Sequence, residues 1–335
     1  MGFDILSDGQ AIMESSSSEL ERSMGLAFDS RRRVFGDELL CYSPTAYPYK
    51  ISDHKQSSLH NFISISVTGT SCSLECDHCD GHLLKAMKPA LTPEALVKRC
   101  QEVEARGAEG VLISGGSDSK GHVPLDRFGE AIKTIKTELG LKVVVHTGLV
   151  TEKTAQLLKE AGIDAAMLDI IGNEQVARSV YHIEDGPRRM NASLSILRES
   201  GIPTVPHILV GINYGKIGGE LEAMQMIAQN DPAAVVVIVL NPVRRTPMES
   251  INPPAPEAIG RVITVARHAM EKTPILLGCA RPMGQHKVDS DKYAVMSGAN
   301  GIAYISQAGV DFAKERGLEP VFSDICCSLA YQMFM

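Results

Sequence analysis

The chain has 335 residues, enough for one large barrel or two ordinary domains whose core needs no disulfide bonds. Hydrophobic residues make up 44% of the sequence and charged residues 22%, a composition that excludes a disordered or fibrous protein. The 33 basic and 40 acidic residues give a net charge of −7, so we expect no nucleic-acid partner.

The N-terminal sequence has neither the basic start nor the apolar stretch of a signal peptide. No run in the chain reaches the roughly 18 apolar residues of a membrane helix, so we expect a cytoplasmic protein with no membrane partner. Residues 1–60 are predicted to form an N-terminal extension. It contains one helix, over about residues 9–29, and then an irregular segment rich in proline and tyrosine that begins at Cys41.

Across residues 61–318, short apolar runs alternate eight times with amphipathic stretches of helix length. Runs that are apolar on both faces are typical of parallel strands covered by helices. The helical stretches carry their own boundary signals, such as a Thr92 cap before Pro93 and a stop at Gly162. The pattern predicts a TIM-type (βα)8 barrel or a partial parallel barrel, with an open doubly wound sheet as the alternative. The predicted strands are 62–67, 110–114, 141–146, 165–170, 204–210, 234–240, 274–278 and 301–305.

Three of the eight cysteines stand in one loop directly after the first predicted strand, as Cys72-x3-Cys76-x2-Cys79. The cytoplasm keeps thiols reduced, so closely spaced cysteines indicate metal or redox chemistry before disulfides. Three thiolates at this spacing can hold three corners of a 4Fe-4S cluster and leave the fourth iron open. A structural zinc site with a distant fourth ligand is the alternative.

The motif C-x3-C-x2-C after the first strand of a barrel resembles the hallmark of the radical S-adenosylmethionine (SAM) superfamily. This resemblance implies that SAM binds the open iron and is cleaved to a 5′-deoxyadenosyl radical. It also implies that His78 lies near the adenine and that the turn Ser114-Gly115-Gly116-Ser117 binds the methionine amino group of SAM. Ser117 stands where the superfamily places an acidic residue.

Four polar residues stand in or directly after later predicted strands: His146, Asp169, His207 and Arg281. Because binding residues of a parallel barrel gather at one end, we expect these side chains to line a common site. The resemblance implies that the two histidines and Asp169 contact the ribose and carboxylate groups of SAM. The guanidinium of Arg281 can pair with a carboxylate of the cofactor or substrate. Each residue taken singly also fits an ordinary structural role.

Four other cysteines are predicted to bind a second cluster. Cys326 and Cys327 are adjacent in a C-terminal tail over 319–335, where a disulfide between neighbours would be strained. Together with Cys41 and Cys279 they can hold an auxiliary 4Fe-4S cluster if both chain ends fold over the barrel mouth. Buried cysteines that serve only packing are the alternative.

The barrel, the segment GCARPMG and the terminal cysteine pair resemble one component of the two-protein lipoyl synthase, a biotin-synthase-like radical SAM family. This resemblance implies a sulfurtransferase of lipoate biosynthesis that inserts sulfur at C6 or C8 of an octanoyl chain on a carrier protein or peptide. It also implies a partner synthase subunit and an electron donor such as ferredoxin. The alternatives are a biotin-synthase-like methyltransferase, mutase or lyase with a single cluster, and a non-catalytic zinc protein.

Overall fold

The computed structural model describes residues 2–45 and 47–334. Within these ranges it contains twelve strands, and every ladder between neighbouring strands is parallel. The strands are β1 (Glu38–Tyr42), β2 (Phe62–Ser66), β3 (Lys88–Pro89), β4 (Gly110–Ser114), β5 (Lys142–His146), β6 (Ala165–Met167), β7 (Asp169–Ile170), β8 (His207–Val210), β9 (Val235–Val239), β10 (Ile275–Leu277), β11 (Gly301–Ala303) and β12 (Glu319–Ser323).

Helices alternate with these strands and cover the outside of the sheet. The α-helices are α1 (Ser7–Glu14), α2 (Ser17–Phe35), α3 (Pro93–Glu104), α4 (Gly129–Glu138), α5 (Glu152–Ala161), α6 (Glu174–Tyr181), α7 (Gly186–Glu199), α8 (Glu220–Ala228), α9 (Pro256–Ala269), α10 (Gln285–Met296) and α11 (Gln307–Glu315). Short 3-10 helices span His82–Ala86, Leu125–Phe128 and Cys327–Met333. In the described part of the chain, no helix has the length and apolar character needed to cross a membrane.

The strands follow one another around a curved, open barrel. The order runs from β3 and β2 through β4, β5 and β6, and then from β7 through β8, β9, β10 and β11 to β1 and β12. Only Leu168 separates β6 from β7, and Ala166 forms a bridge to Thr204, so the two sheets make one continuous wall. A strand order that advances in one direction is that of a barrel, whereas a doubly wound sheet reverses at a switch point. The predicted parallel barrel, in its partial form, is confirmed.

The N-terminal segment contributes two helices and a strand to this barrel. Where one helix was predicted there are two, because Ser16 caps the second and Glu19 bonds back to the Ser16 N–H at 2.9 Å. Arg31, from the basic triplet of α2, is fully buried and donates to two backbone carbonyls at the entry to β1. Strand β1 lies between β11 and β12 and includes Cys41, so the irregular segment begins after it.

Alternation along the strands divides the core into two layers. In β1, Leu39 and Cys41 pack between the sheet and the helices, whereas Leu40 and Tyr42 face the interior of the barrel. The interior layer also holds Phe62 of β2 and the inward-facing side chains of the other strands. The burial of both layers explains why the strand sequences are apolar almost throughout.

The C-terminal tail runs inside the barrel from the carboxyl ends of the strands to their amino ends. It leaves β12 after Ser323, and its Leu329 is buried among the inward-facing residues. The Tyr331 hydroxyl donates to the Asp164 carbonyl, just before β6, at 2.6 Å. The Phe334 ring lies 5.0 Å from that of Phe35, just before β1. The tail therefore fills the floor of the barrel, and the loops at the carboxyl ends of the strands surround its mouth.

Candidate active site at the barrel mouth

The loop after β2 carries Cys72, Cys76 and Cys79. Cys76 is buried and the other two are half-buried, and the Cys79 N–H donates to the Cys76 carbonyl at 3.0 Å, which tightens the loop. A hydrogen bond between the two thiols, with Cys79 accepting, lowers the pKa of Cys79 and raises that of Cys76. The charge of Cys72 adds to the raised pKa of Cys76. The Cys76 and Cys79 thiols are thus in contact, and Cys72 lies close enough for its charge to act on Cys76.

The glycine turn after β4 makes room for this cysteine loop. A Cβ on Gly116 would lie 2.0 Å from the carbonyl oxygen of Ser71 and 2.6 Å from the Cα of Cys72. The Ser73 N–H donates to the Ser117 carbonyl at 2.8 Å, which joins the two loops. Only glycine permits such an approach of two backbones. The turn was predicted to bind SAM, and in the structure its Gly116 makes room for the backbone of Cys72.

The first half of the same turn is built into the barrel wall. The Ser114 hydroxyl donates to the His146 carbonyl at 2.9 Å, and the residue is 7% exposed. Gly115 lies against Thr68, whose Oγ1 would be 3.0 Å from an added Cβ. These contacts align the end of β4 with both the cysteine loop and β5.

Asp77, inside the cysteine motif, is held from two other parts of the chain. The Tyr214 hydroxyl donates to its carboxylate at 2.5 Å, and Nε2 of His182 lies 3.3 Å from its other oxygen. The second ring nitrogen of His182 is 2.6 Å from the Leu74 carbonyl. Both partners adopt left-handed backbone, with φ of 49° for Tyr214 and 57° for His182, which costs about 1–3 kcal/mol each. Asp77 and Tyr214 are 137 positions apart in the sequence, so no local pattern predicts this contact.

His78 lies beside the cysteines and Tyr181, with the two rings 5.0 Å apart. Burial lowers its pKa, but the hydrogen bond to Cys79 and nearby negative charges outweigh burial and raise it. Its Nδ1 is buried and has no hydrogen-bond partner among residues 2–45 and 47–334. A buried nitrogen without a partner is rare in a finished core, so this atom fits a contact with a bound cofactor, as predicted for the adenine.

The side chains of His146, Asp169 and His207 converge inside the barrel from β5, β7 and β8. Nε2 of His146 lies 3.3 Å, and Nδ1 of His207 3.2 Å, from the same Oδ1 of Asp169. Burial would raise the pKa of Asp169, but the hydrogen bonds from both histidines hold it well below its usual range. Burial lowers the pKa of His207, which favours the neutral imidazole. We call these three residues the polar cluster; they were predicted to share a site, and the structure places them in contact.

Tyr181 joins the polar cluster and was not identified from the sequence. Its hydroxyl donates to Oδ2 of Asp169 at 3.4 Å, and its carbonyl accepts from the Cys76 thiol at 3.9 Å. It is the last residue of α6, and the residue after it, His182, belongs to the Asp77 clamp. The sequence signal for this position is weak because Tyr181 lies outside every strand end.

Arg281 is paired inside the protein. Its guanidinium donates to Asp291 at 2.7 Å, with side-chain exposures of 1% and 0%, and also to the Gly278 carbonyl. Asp291 in turn accepts from the Ser306 N–H at 2.7 Å, so the pair ties together the loops after β10 and β11. This ion pair differs from the predicted role of Arg281 in binding the cofactor: its charge is already neutralised, and the residue positions the loop that carries Cys279.

Three of the four remaining predicted ligands lie near one another at the mouth. Cys327 is buried, Cys326 is half-buried and Cys279 is exposed. Cys326 accepts hydrogen bonds from the Cys327 thiol and, at 3.1 Å, from the Ser328 hydroxyl, and these lower its pKa to about 7. Desolvation, followed by the charge of Cys326, raises the pKa of Cys279. Cys326 therefore lies close enough to Cys279 for its charge to act on that thiol.

Cys41 does not join these cysteines, which corrects the prediction that it is a ligand of the same cluster. Its side chain is 1% exposed, contacts the Leu39 carbonyl at 3.6 Å, and packs in the layer between sheet and helices. Cys326 and Cys327 pack with the interior layer. Successive strand residues face opposite sides of a sheet, so the barrel wall separates Cys41 from the other sulfurs.

The path of the tail toward the mouth is set by Asp324. Its carboxylate accepts from the Ser43 hydroxyl at 2.6 Å, from His54 Nε2 at 2.9 Å and from the Ser57 N–H at 2.6 Å. These hydrogen bonds hold its pKa below the usual range although burial opposes them. The segment after β1 therefore fixes the residues that immediately precede Cys326.

Comparison with known proteins covers the part of the chain that carries most of these residues. The model of a family described as the radical SAM superfamily matches residues 66–218, which include the cysteine loop, the glycine turn and the polar cluster but exclude Cys279 and the tail. The biotin synthase of Chlamydia pneumoniae is 24% identical over 260 residues, covering 76% of this chain and 77% of that protein. The 3-methylornithine synthase of Methanosarcina barkeri is 24% identical over 223 residues, covering 65% and 62%.

Solved structures share the fold. The crystal structure of methylornithine synthase (PylB) superposes with a TM-score of 0.68 at 18% identity, covering 100% of this chain and 97% of that one. HydG, a maturase of the FeFe-hydrogenase, gives a TM-score of 0.68 at 16% identity, covering 99% and 74%. At these identities the likeness establishes the architecture alone.

Proposed function

We propose that the chain is a radical SAM enzyme of the biotin-synthase-like branch and that it inserts sulfur at C6 or C8 of an octanoyl chain on a carrier protein or peptide. The observation that carries this proposal is the group of Cys279, Cys326 and Cys327 at the barrel mouth, outside the cysteine loop of the family. Sulfur insertion requires a sulfur source in addition to SAM, and a second iron–sulfur cluster is such a source.

The cysteines form two groups of three, one group for each of two proposed clusters. Cys72, Cys76 and Cys79 would hold a 4Fe-4S cluster, and the three cysteines at the mouth would hold an auxiliary 4Fe-4S cluster. When bound, the first cluster and SAM supply a radical that removes hydrogen from an unactivated carbon, and the second cluster supplies sulfur. The unpartnered Nδ1 of His78 supports a cofactor contact beside the first cluster.

The residues of the chain itself position the substrate and exclude water. Because the tail fills the floor of the barrel, with Leu329 buried in the interior layer, an acyl chain would enter from the mouth. Its distal carbons would then lie between the cysteine loop and the terminal cysteines, which is the proximity that the reaction needs. From the family resemblance we include a partner synthase subunit and an electron donor such as ferredoxin in the proposal.

Iron content tests the proposal. We expect anaerobically reconstituted protein to contain about eight irons per chain, and a Cys326→Ser/Cys327→Ser variant about four. A Cys41→Ala variant is the matched control and should keep about eight, since that thiol faces the other side of the wall. Incubation with SAM, dithionite and an octanoylated carrier peptide should add a thiol or dithiol to the peptide, read by mass. About four irons in the wild type, with no sulfur gained, would refute sulfur insertion.

A second candidate function is a single-cluster rearrangement or lyase reaction on a polar substrate. The polar cluster of His146, Asp169 and His207 favours it, because such groups suit a hydrogen-bonding substrate better than an alkyl chain. The methylornithine synthases among the similar proteins are in accord with this alternative. Release of 5′-deoxyadenosine without sulfur gain, in a protein with about four irons per chain, would favour this second function over sulfur insertion.

A further inference from the structure

We propose that the polar cluster of His146, Asp169 and His207 is a mononuclear site for a divalent first-row metal ion, distinct from the iron–sulfur ligands. Nε2 of His146, Nδ1 of His207 and a carboxylate oxygen of Asp169 all lie within 4.8 Å of one another. Two histidines and one carboxylate, with open positions opposite them, are the ligand set of mononuclear non-haem Fe(II) sites. This inference goes beyond sulfur insertion and does not depend on it.

The spacing of the three atoms suits a metal. Nitrogen and oxygen ligands stand about 2.0–2.2 Å from such an ion, which puts neighbouring ligand atoms about 3.0–3.5 Å apart at octahedral or tetrahedral angles. The two nitrogens lie 3.3 and 3.2 Å from the Asp169 oxygen. Without a metal the same distances are those of hydrogen bonds, so the site is held in shape before an ion arrives.

The barrel wall explains this pre-formed arrangement. The Cα of Asp169 is paired with that of His207 across the ladder of β7 and β8, and His146 ends the neighbouring strand β5. Val144, Met167 and Val205, each two residues before one of the three, face the interior, so by alternation all three side chains point inward. Ligands on strands are held more rigidly than ligands on loops.

A neighbouring side chain orients the carboxylate of this site. The Tyr181 hydroxyl bonds the second oxygen of Asp169 at 3.4 Å, which orients the carboxylate and leaves its first oxygen toward the histidines. The side chains are 28%, 23% and 13% exposed in the order His146, Asp169 and His207, so the site is open to the mouth. The open positions would take an oxygen atom of the substrate, such as a carboxylate or amide carbonyl.

Manganese binding tests this site in the reconstituted holoenzyme. Mn²⁺ is the probe because it prefers carboxylate and imidazole to thiolate, so it discriminates against the cysteine sites. Loss of the electron paramagnetic resonance signal of free Mn²⁺ should report one ion bound per chain in the wild type. We expect Asp169→Asn and His207→Gln each to weaken this binding at least 100-fold, and Tyr181→Phe about 10-fold. His60→Ala changes a half-buried histidine outside the cluster and should leave binding unchanged.

Iron content of each variant, measured in parallel, shows whether the cluster sites are intact, and only variants with wild-type iron are compared. Absence of bound Mn²⁺ in the wild type would overturn the proposal. Equal binding by the wild type, Asp169→Asn and His207→Gln would also overturn it, because the ion would then lie elsewhere. No octanoyl substrate is present in the assay, so failure of the proposed sulfur insertion leaves the result unaffected.

Discussion

Replacing Gly116 by alanine should displace the cysteine loop. The added Cβ would lie 2.0 Å from a backbone oxygen and 2.6 Å from a backbone carbon, whereas ordinary contact begins near 3.4 Å. Both atoms belong to the main chain, so no side chain can rotate away, and the two loops must separate by more than an ångström. Overpacking typically costs about 1–3 kcal/mol, and we expect the upper end here, near 3 kcal/mol. For a chain of this size, the Tm should fall by roughly 4 °C.

The assay compares thermal unfolding of the apo protein and iron per chain after reconstitution. Gly116→Ala should show both the lower Tm and a loss of iron, because the carbon that would be struck is the Cα of Cys72. Gly115→Ala should have a smaller effect, since the nearest atoms to its Cβ, at 3.0 to 3.2 Å, belong to side chains. Gly25→Ala is the control: among the described residues no atom lies within 4 Å of a Cβ added there, inside α2, so the variant should gain roughly 0.5–1 kcal/mol of stability. A Gly116→Ala protein with wild-type Tm and iron would refute the reasoning.

Three further changes test the contacts around the site. Tyr214→Phe removes the hydroxyl that donates to the Asp77 carboxylate, so it should cost about 1.5–3 kcal/mol and speed the loss of iron to a chelator; equal rates would contradict the clamp. Asp291→Ala leaves the Arg281 charge buried without its partner and should cost about 3–5 kcal/mol, read from the urea midpoint. The pKa of Asp169 is depressed in the folded protein, so its stabilisation is present above the usual value of 3.8 and is lost as pH falls further. The stability difference between wild-type and Asp169→Asn apo protein should therefore stay level above about pH 5 and shrink as the pH falls below about 4 in urea unfolding; a constant difference down to low pH would count against it.

Much of the fold could be predicted from local patterns. The eight predicted strands all appear, because a short apolar run between helix caps has few other ways to bury both faces. The largest shift in a strand start also has a local cause: β8 begins at His207 and not at 204, since Pro206 has no N–H to donate to a ladder. The cysteine loop could also be recognised from the sequence, because its three cysteines lie within eight residues of one another.

The two chain ends could not be placed in this way. Strand β1 pairs with β11 and β12, and its partner residues are about 260 positions away, as for Cys41 and Ile302. No sequence pattern near Cys41 indicates which side of the barrel wall its side chain faces. A shift of one residue in strand register would turn the side chain to the other side. Arg281 lies in the loop after β10 and Asp291 lies in α10, and only the packing of the loop against the helix makes them a buried pair.

The sequence by itself therefore determined the barrel, the three cysteines of the loop and the residues gathered on its strands, since each depends on periodicity or close spacing along the chain. Only the tertiary structure decided which cysteines share the mouth, that Tyr181 and Tyr214 support the site, and that the tail fills the floor. These outcomes depend on contacts between residues far apart in sequence. The free energy of such contacts comes from burial and hydrogen bonding in the assembled core, and no local pattern encodes it.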